Sequence, residues 1–577
     1  MRSIRSRSRW VFPLLFLLAA GCTPPGDDGS SESSGPSSPP QLTLTADADE
    51  AAQVIDAATL ESMIASLADD SLAGRGPATE GDQLTRTYIA EALAECGFEP
   101  GAADGSWEQP VELVGLTSHM PKEWTFNSEN DTLSLDFWDD YIGNTGVQEP
   151  SVSIDDAELV FVGYGITAPE EDWNDYKDVD VRGKILVMLN NDPDWDPDLF
   201  AGSRRLYYGR WDYKYESAAK AGAVGAIIIH TTPSAGYPFQ VVQTSWTGEQ
   251  FEAPAGNEPR VRLTAWVTDE AAGRLARLGG LDLDELIASA HSRDFRPVSL
   301  NVRSSIAFES TVNEGTHTAN VLGILPGSDP ELADELVVYT AHHDHLGIGA
   351  TDADGDSIYN GARDNASGVA TVLAIARAFS ALEERPRRSV LMLLVAAEEQ
   401  GLLGSEAYTN DPTAHPGNLM ANINFDAVAI FGRTTDVAVV GRGKSELELL
   451  LEQAAAKQDR EVVDEPFPDK GYYYRSDQFN FAKIGVPALY FKSGTHLRDG
   501  GSEVGKALED EWRANRYHQP ADEIYDGWDF SGMIEDAQLG FWVGLSVANM
   551  DSPPGWVAGD EFEGTRKQMR AEARKSE

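Results

Sequence analysis

Residues 390–396, Val-Leu-Met-Leu-Leu-Val-Ala, form an apolar run with no polar residue at alternate positions. A strand with one wet face alternates, so a run without alternation needs cover on both faces. That is the condition inside a largely parallel sheet with helices on each side. The neighbouring sequence repeats the theme. Residues 319–325 and 335–340 read as strands joined by a polar turn, and 369–382 reads as a helix. Such alternation from about 315 to 550 predicts an α/β fold with a mostly parallel central sheet flanked by helices. Ligands in such sheets sit beyond the carboxyl ends of the strands.

At 577 residues the chain exceeds one ordinary core. Residues 50–100 read as helical, with Leu60, Ile64 and Leu67, then Tyr88, Ile89, Leu93 and Ala94, at helical spacing. Between 150 and 300 the character changes. Residues 159–162 and 181–187 are strand candidates, and 218–229 read as helix, turn and buried strand. This order resembles the protease-associated (PA) domain, a smaller β-rich insert found in several exopeptidases. It contains no catalytic constellation, which leaves a packing lid or a wall that shapes substrate access. The expected organisation is a leader at 1–22, a flexible tether at 23–50 and the first part of a catalytic domain at 51–145. The insert at 146–305, the main catalytic part at 306–550 and a charged tail at 551–577 follow.

The N-terminus reads as an export signal. Arg2, Arg5, Arg7 and Arg9 precede the apolar run Trp10–Ala20, which is too short to span a bilayer comfortably. It ends in Leu18-Ala19-Ala20-Gly21-Cys22, which resembles a bacterial lipobox. In that motif the Cys22 thiol takes a diacylglycerol and becomes the mature N-terminus. The expectation is an exported protein, anchored in the membrane by its N-terminal lipid alone. Thr23 in place of Asp favours the outer membrane or cell surface, by similarity to Gram-negative sorting. With Cys22 lipidated, Cys96 has no intrachain partner, since the chain has two cysteines. The net charge of -49, from 94 acidic and 45 basic residues, is the wrong sign for a nucleic-acid partner. Oligomeric state is left open.

Five short motifs follow strand ends or enter helices. In Ala341-His342-His343-Asp344-His345, His342 suits a metal ligand and Asp344 suits the carboxylate that fixes its tautomer. His343 is expected to face away, and the direction of His345 is open. In Arg363-Asp364-Asn365-Ala366-Ser367-Gly368, Asp364 is either a helix cap or a carboxylate that bridges two metals. The adjacent Glu398 and Glu399 follow the buried run. Buried, they are costly unless neutralised, and one can ligate while the other serves as a base. Asp426, in Asn424-Phe425-Asp426, and His518, in Tyr517-His518-Gln519-Pro520, supply two more donors, with Asp522 placed to orient His518.

In this order the five motifs resemble family twenty-eight of the metallopeptidases, the di-zinc aminopeptidase type, over about residues 55–550. The resemblance implies a zinc-exopeptidase (phosphorylase/hydrolase-like) fold, two zinc ions per chain and peptide substrates cut at the N-terminus. It also implies the roles. Asp364 bridges, His342 and Asp426 complete one ion, Glu399 and His518 complete the other, and Glu398 is the general base. Tyr473, Tyr474 and Tyr517 are candidate donors to the oxyanion. The segment Leu72-Ala73-Gly74-Arg75-Gly76 looks like the opening segment of secreted members. Arg363 and Gln478 depart from common members, which bears on specificity rather than on the metals. Carboxypeptidases, glutaminyl cyclases and non-catalytic receptors of the same fold remain as alternatives.

Overall fold

A computed structural model describes residues 39–576; the leader, Cys22 and the expected tether as far as residue 38 lie outside the described residues. Four strands form the parallel heart of the catalytic sheet. In spatial order they are Ser389–Val395, Leu336–His342, Leu419–Asn424 and Ala488–Ser493. Antiparallel strands flank them. The end of the long strand Val298–Leu325 pairs with Ser389–Val395, and Asp436–Val439 pairs with Ala488–Ser493.

The unbroken apolar runs have a direct explanation. Val390, Met392 and Leu394 point into one core, with the helices Ala57–Leu67, Ser367–Ser380, Leu447–Ala456 and Ser531–Asn549. Leu391, Leu393 and Val395 point into a second core, with Tyr408 and Phe481. Both faces are covered, so neither tolerates a polar residue.

The first of these four strands in sequence, Leu336–His342, lies between its two successors. The next in sequence, Ser389–Val395, pairs on one side, and Leu419–Asn424 pairs on the other. The chain therefore diverges from the carboxyl end of Leu336–His342, which opens a crevice there.

The long strand also builds a second, β-rich region. Its first half pairs with Ser151–Phe161, and residues 309–321 pair with Glu108–His119. Ile185–Leu189, Gly225–His230 and Leu263–Thr268 form a parallel trio beside it. This region has its own core, from Trp124 to Phe308, built on Phe126, Leu159, Phe161, Ile227 and Val267.

Both ends of the described segment are tied to the catalytic sheet. The helix Glu563–Ser576 docks through Arg566, whose guanidinium donates to the carbonyls of Leu419 and Pro416. The Trp556 indole donates to the Gly485 carbonyl at 3.0 Å. Near the other end, Arg75 is fully buried and donates to four carbonyls, those of Leu67, His343, Asn360 and Gly361, at 2.5–2.9 Å. Gly74 lets this segment approach: its φ is +70°, and a Cβ there would lie 2.5 Å from the Gly347 carbonyl oxygen. Among the described residues Cys96 is a free cysteine, and no helix is long and apolar enough to cross a membrane.

Candidate metal centre

All five expected ligands meet at the crevice. His342 is the last residue of its strand, Glu398 and Glu399 follow the end of Ser389–Val395, and Asp426 follows the end of Leu419–Asn424. Asp364, joined to Asn365 by a cis peptide bond, lies just before the helix Ser367–Ser380, and His518 comes from the loop after the helix Gly501–Asn515.

The two oxygens of Asp364 face different imidazoles. Oδ1 lies 3.3 Å from His342 Nε2, and Oδ2 lies 3.2 Å from His518 Nε2. Asp426 Oδ1 is 3.8 Å from His342 Nε2, and Glu399 Oε2 is 3.1 Å from His518 Nε2. Donors at about 2.0–2.1 Å from one tetrahedral zinc sit about 3.3 Å from each other. Three of these distances, 3.1–3.3 Å, have that spacing, and Asp426 lies wider at 3.8 Å; one set whose donor atoms all lie within 4.8 Å of one another is His342, Asp364 and Glu399. Glu398 Oε2 lies 3.9 Å from His342 Nε2, much as Asp426 does, and the three form a possible donor group.

Charge supports the fit. Burial pulls the His518 imidazole down, but Glu399 and Asp364 outweigh it and carry it up to about 10. Burial likewise disfavours the Asp364 carboxylate, yet His342 and His518 hold it well below the ordinary range. Burial drives Glu398 well above its ordinary value, opposed by His342 and reinforced by Glu399 and Asp426. So much buried negative charge calls for protons or metal cations, and imidazole with carboxylate is a donor set that suits zinc.

The surrounding motif residues fix these groups. The Asn365 amide donates to the Phe425 carbonyl, and its oxygen accepts from the Gly368 and Ala427 amides, which ties the Asp364 turn to the Asp426 turn. Gly368 is required by this closeness, since a Cβ there would lie 2.2 Å from Asn365 Oδ1. Asn424 accepts from Thr340 and donates to Ser476 and Gln478. Gln478 is thus a buried partner of the Asp426 strand. Arg363 pairs with Glu509 at 2.6 and 3.2 Å and lies 4.3 Å over the Trp512 ring.

Several roles differ from the sequence expectation. His342 Nδ1 lies nearest the backbone oxygen of Asp344, at 3.2 Å, with the carboxylate at 3.7 Å. The Asp344 carboxylate instead accepts from the amides of Glu398 and Glu399, at 3.0 and 3.3 Å, so it aims that turn. Burial pushes it up to about 7. Asp522 does not contact His518. It accepts from the amides of Arg363 and Asp364 and from the Trp512 indole, because it lies under the Asp364 turn. Tyr473 and Tyr474 pack in a core with Phe479 and Phe562, away from the crevice, whereas their neighbour Tyr472 lines it. Tyr517 does line the crevice, with its ring 3.9 Å from that of His518. His343 faces away and contacts the Ala319 carbonyl.

Two contacts had no motif to announce them. His345 Nδ1 lies 2.7 Å from Glu399 Oε1, leaving Oε2 for the His518 side. Ser245 Oγ lies 2.7 Å from His518 Nδ1, and it comes from the β-rich region. That region forms one wall of the crevice, through Arg210, Trp211, Tyr237, Val242, Ser245 and Trp246.

Comparison with known proteins agrees with this geometry. Residues 320–539 match the family described as peptidase family M28. A probable zinc metalloprotease of Pyrenophora teres f. teres is 35% identical over 108 residues, which covers 19% of this chain and 22% of that protein. A probable leucine aminopeptidase 2 of Aspergillus fumigatus is 26% identical over 270 residues, 44% of this chain and 49% of that one. The matches therefore span less than half the length of these curated relatives. Among solved structures, an aminopeptidase from Aneurinibacillus sp. strain AM-1 shares the fold, with TM-score 0.52 and 18% identity over 88% of this chain and 97% of that one.

Proposed function

We infer that this chain, whose residues 320–539 belong to peptidase family M28, is a zinc-dependent aminopeptidase that removes N-terminal residues from peptides. The observation that carries the reading is the shared carboxylate of Asp364, one oxygen toward His342 and the other toward His518. The names of the two curated relatives support the same chemistry.

In this reading His342, Asp364 and Asp426 would hold one zinc ion, and Asp364, Glu399 and His518 would hold a second. Such a pair supplies an acidified water and an electrophile for the scissile carbonyl. Glu398, whose burial favours a bound proton, accepts the proton of the attacking water and delivers it to the leaving amine. Asp344 fixes Glu398 through its backbone amide. The Tyr517 hydroxyl is the donor for the oxyanion. The wall contributed by the β-rich region narrows the crevice, which suits a chain end better than the middle of a long peptide. We read residues 146–305 as a PA-like insert in this role. Cys22, at the end of its lipobox-like leader, is the proposed lipid anchor of an exported enzyme.

The test is hydrolysis of aminoacyl arylamides beside their N-acetylated counterparts, with and without a chelator. Chelator-sensitive cleavage of the free-amine substrates alone is the expected result. Cleavage of the acetylated set, or none with two zinc ions bound, overturns the reading.

A further inference from the structure

Four cations line the crevice and none has a part in the chemistry above; three of them, Arg475, Lys492 and Arg513, stand together. They converge on one side chain. Their charged groups lie 5.2, 5.9 and 5.8 Å from the ring centroid of Tyr472. Among the described residues none of the three lies within 4.0 Å of a carboxylate oxygen. The contrast with other cations nearby is direct. Arg210, in the same crevice, pairs with Asp212 at 3.2 Å. Glu509, the acid on the same helix as Arg513, pairs directly with Arg363 and acts on Arg513 and Lys492 only at longer range, as Asp426 does on Lys492. Arg475 has one weak bond, to the Ala235 carbonyl at 3.3 Å.

This arrangement is unexpected from composition. The chain has 94 acidic residues against 45 basic ones, so acids are available to pair with every cation. Three like charges gathered in a half-buried site repel one another, and each loses part of its hydration. Such a cluster is stable when an anion joins it, and guanidinium groups bind carboxylates through paired hydrogen bonds. Tyr472 adds a ring on which the aliphatic part of a ligand can rest. Arg475 also lies 5.2 Å from the Tyr237 ring, which neighbours Tyr517 beside His518. The cluster is therefore continuous with the metal centre.

We propose that Arg475, Lys492 and Arg513 form a subsite that binds a carboxylate of the peptide substrate. The proposal rests on the aminopeptidase reading. The carboxylate has three possible sources: the side chain of the first residue, the side chain of the second, or the terminal carboxylate of a dipeptide. Each source corresponds to one arm of the test.

The zinc-loaded chain is assayed on Glu- against Gln-arylamide, Leu-Glu-amide against Leu-Gln-amide, and Leu-Gly against Leu-Gly-amide. One arm should favour the carboxylate form in kcat/KM by roughly tenfold or more, and that ratio should collapse toward one in R475Q/R513Q and fall in K492M. Calorimetric binding of the same pairs, with glutamate and glutamine standing for the first, gives a readout without turnover. Equal affinity and equal kcat/KM within every pair overturns the subsite, even if neutral peptides are cleaved well. A preference that survives in the variants overturns it too. If no free-amine substrate is cleaved, the aminopeptidase reading fails, and the calorimetric ratios still decide the subsite.

Discussion

The strand Val298–Leu325 runs through both regions, and they use it differently. From Leu300 to Thr311 its residues alternate between buried and exposed, as one wet face requires. From Thr318 to Gly323 every residue is buried. The chain thus passes, within one strand, from a sheet covered on one side to a sheet covered on both. The fully covered half carries the expected metal ligands on its loops. The half-covered region has no catalytic motif, yet it brings Ser245 to His518 and walls the crevice. A doubly covered sheet holds its donors by close packing on both faces. The β-rich region acts on what surrounds them.

Four measurements sharpen or break that division. The largest effect belongs to the covered sheet. Glu398→Gln should lower kcat by about 10²–10⁴-fold while two zinc ions per chain stay bound by elemental analysis. Near-normal turnover would remove Glu398 from the proton path. Asp364→Ala should release both ions together, because each group of donors depends on it. Loss of one ion alone would contradict the shared carboxylate. Ser245→Ala tests the contribution of the β-rich region. Freed from its Oγ contact, His518 should hold zinc about 10–100-fold less tightly, as for other groups that orient a metal-bound imidazole. An unchanged zinc affinity would reduce the β-rich region to a wall.

The smallest effect concerns stability within the β-rich region itself. Burial pulls His230 down to about 4, below its ordinary 6.5, so the folded chain keeps it neutral. The unfolded chain binds the proton first as pH falls. This contribution to stability is therefore full above about 6.5 and is lost progressively toward about 4. His230→Phe should flatten the fall in Tm over that range by a few degrees. An unchanged acid slope would place the sensitivity elsewhere.

Three of the five expected ligands were legible in the sequence because each follows an apolar run that reads as a covered strand. His342, Glu399 and Asp426 all stand at such ends. The Asp364 turn was legible through Asn365 and Gly368, whose close contacts demand those residues. Other parts were not. His345 lies where the chain leaves its strand, and spacing no longer fixes direction there. Asp522 has the composition of a ligand's partner but sits beneath a different turn. Ser245 is 273 positions from His518, in a stretch with no pattern of its own. Of three consecutive tyrosines, the turn at Gly471 selects Tyr472 for the crevice, a choice that local sequence does not encode.

Arg75 limits where this chain can be divided. The segment 320–539 carries every expected ligand, yet its turns at His343, Asn360 and Gly361 hang on a guanidinium more than 240 residues upstream. Excising that segment would strand three buried carbonyls without a donor, at about 1–3 kcal/mol for each. A protease nick in the intervening β-rich loops is a different matter, since both pieces stay docked around the same side chain. The part of the chain that carries the ligands is thus not a module that can be transplanted alone. Residues 57–95 must travel with it.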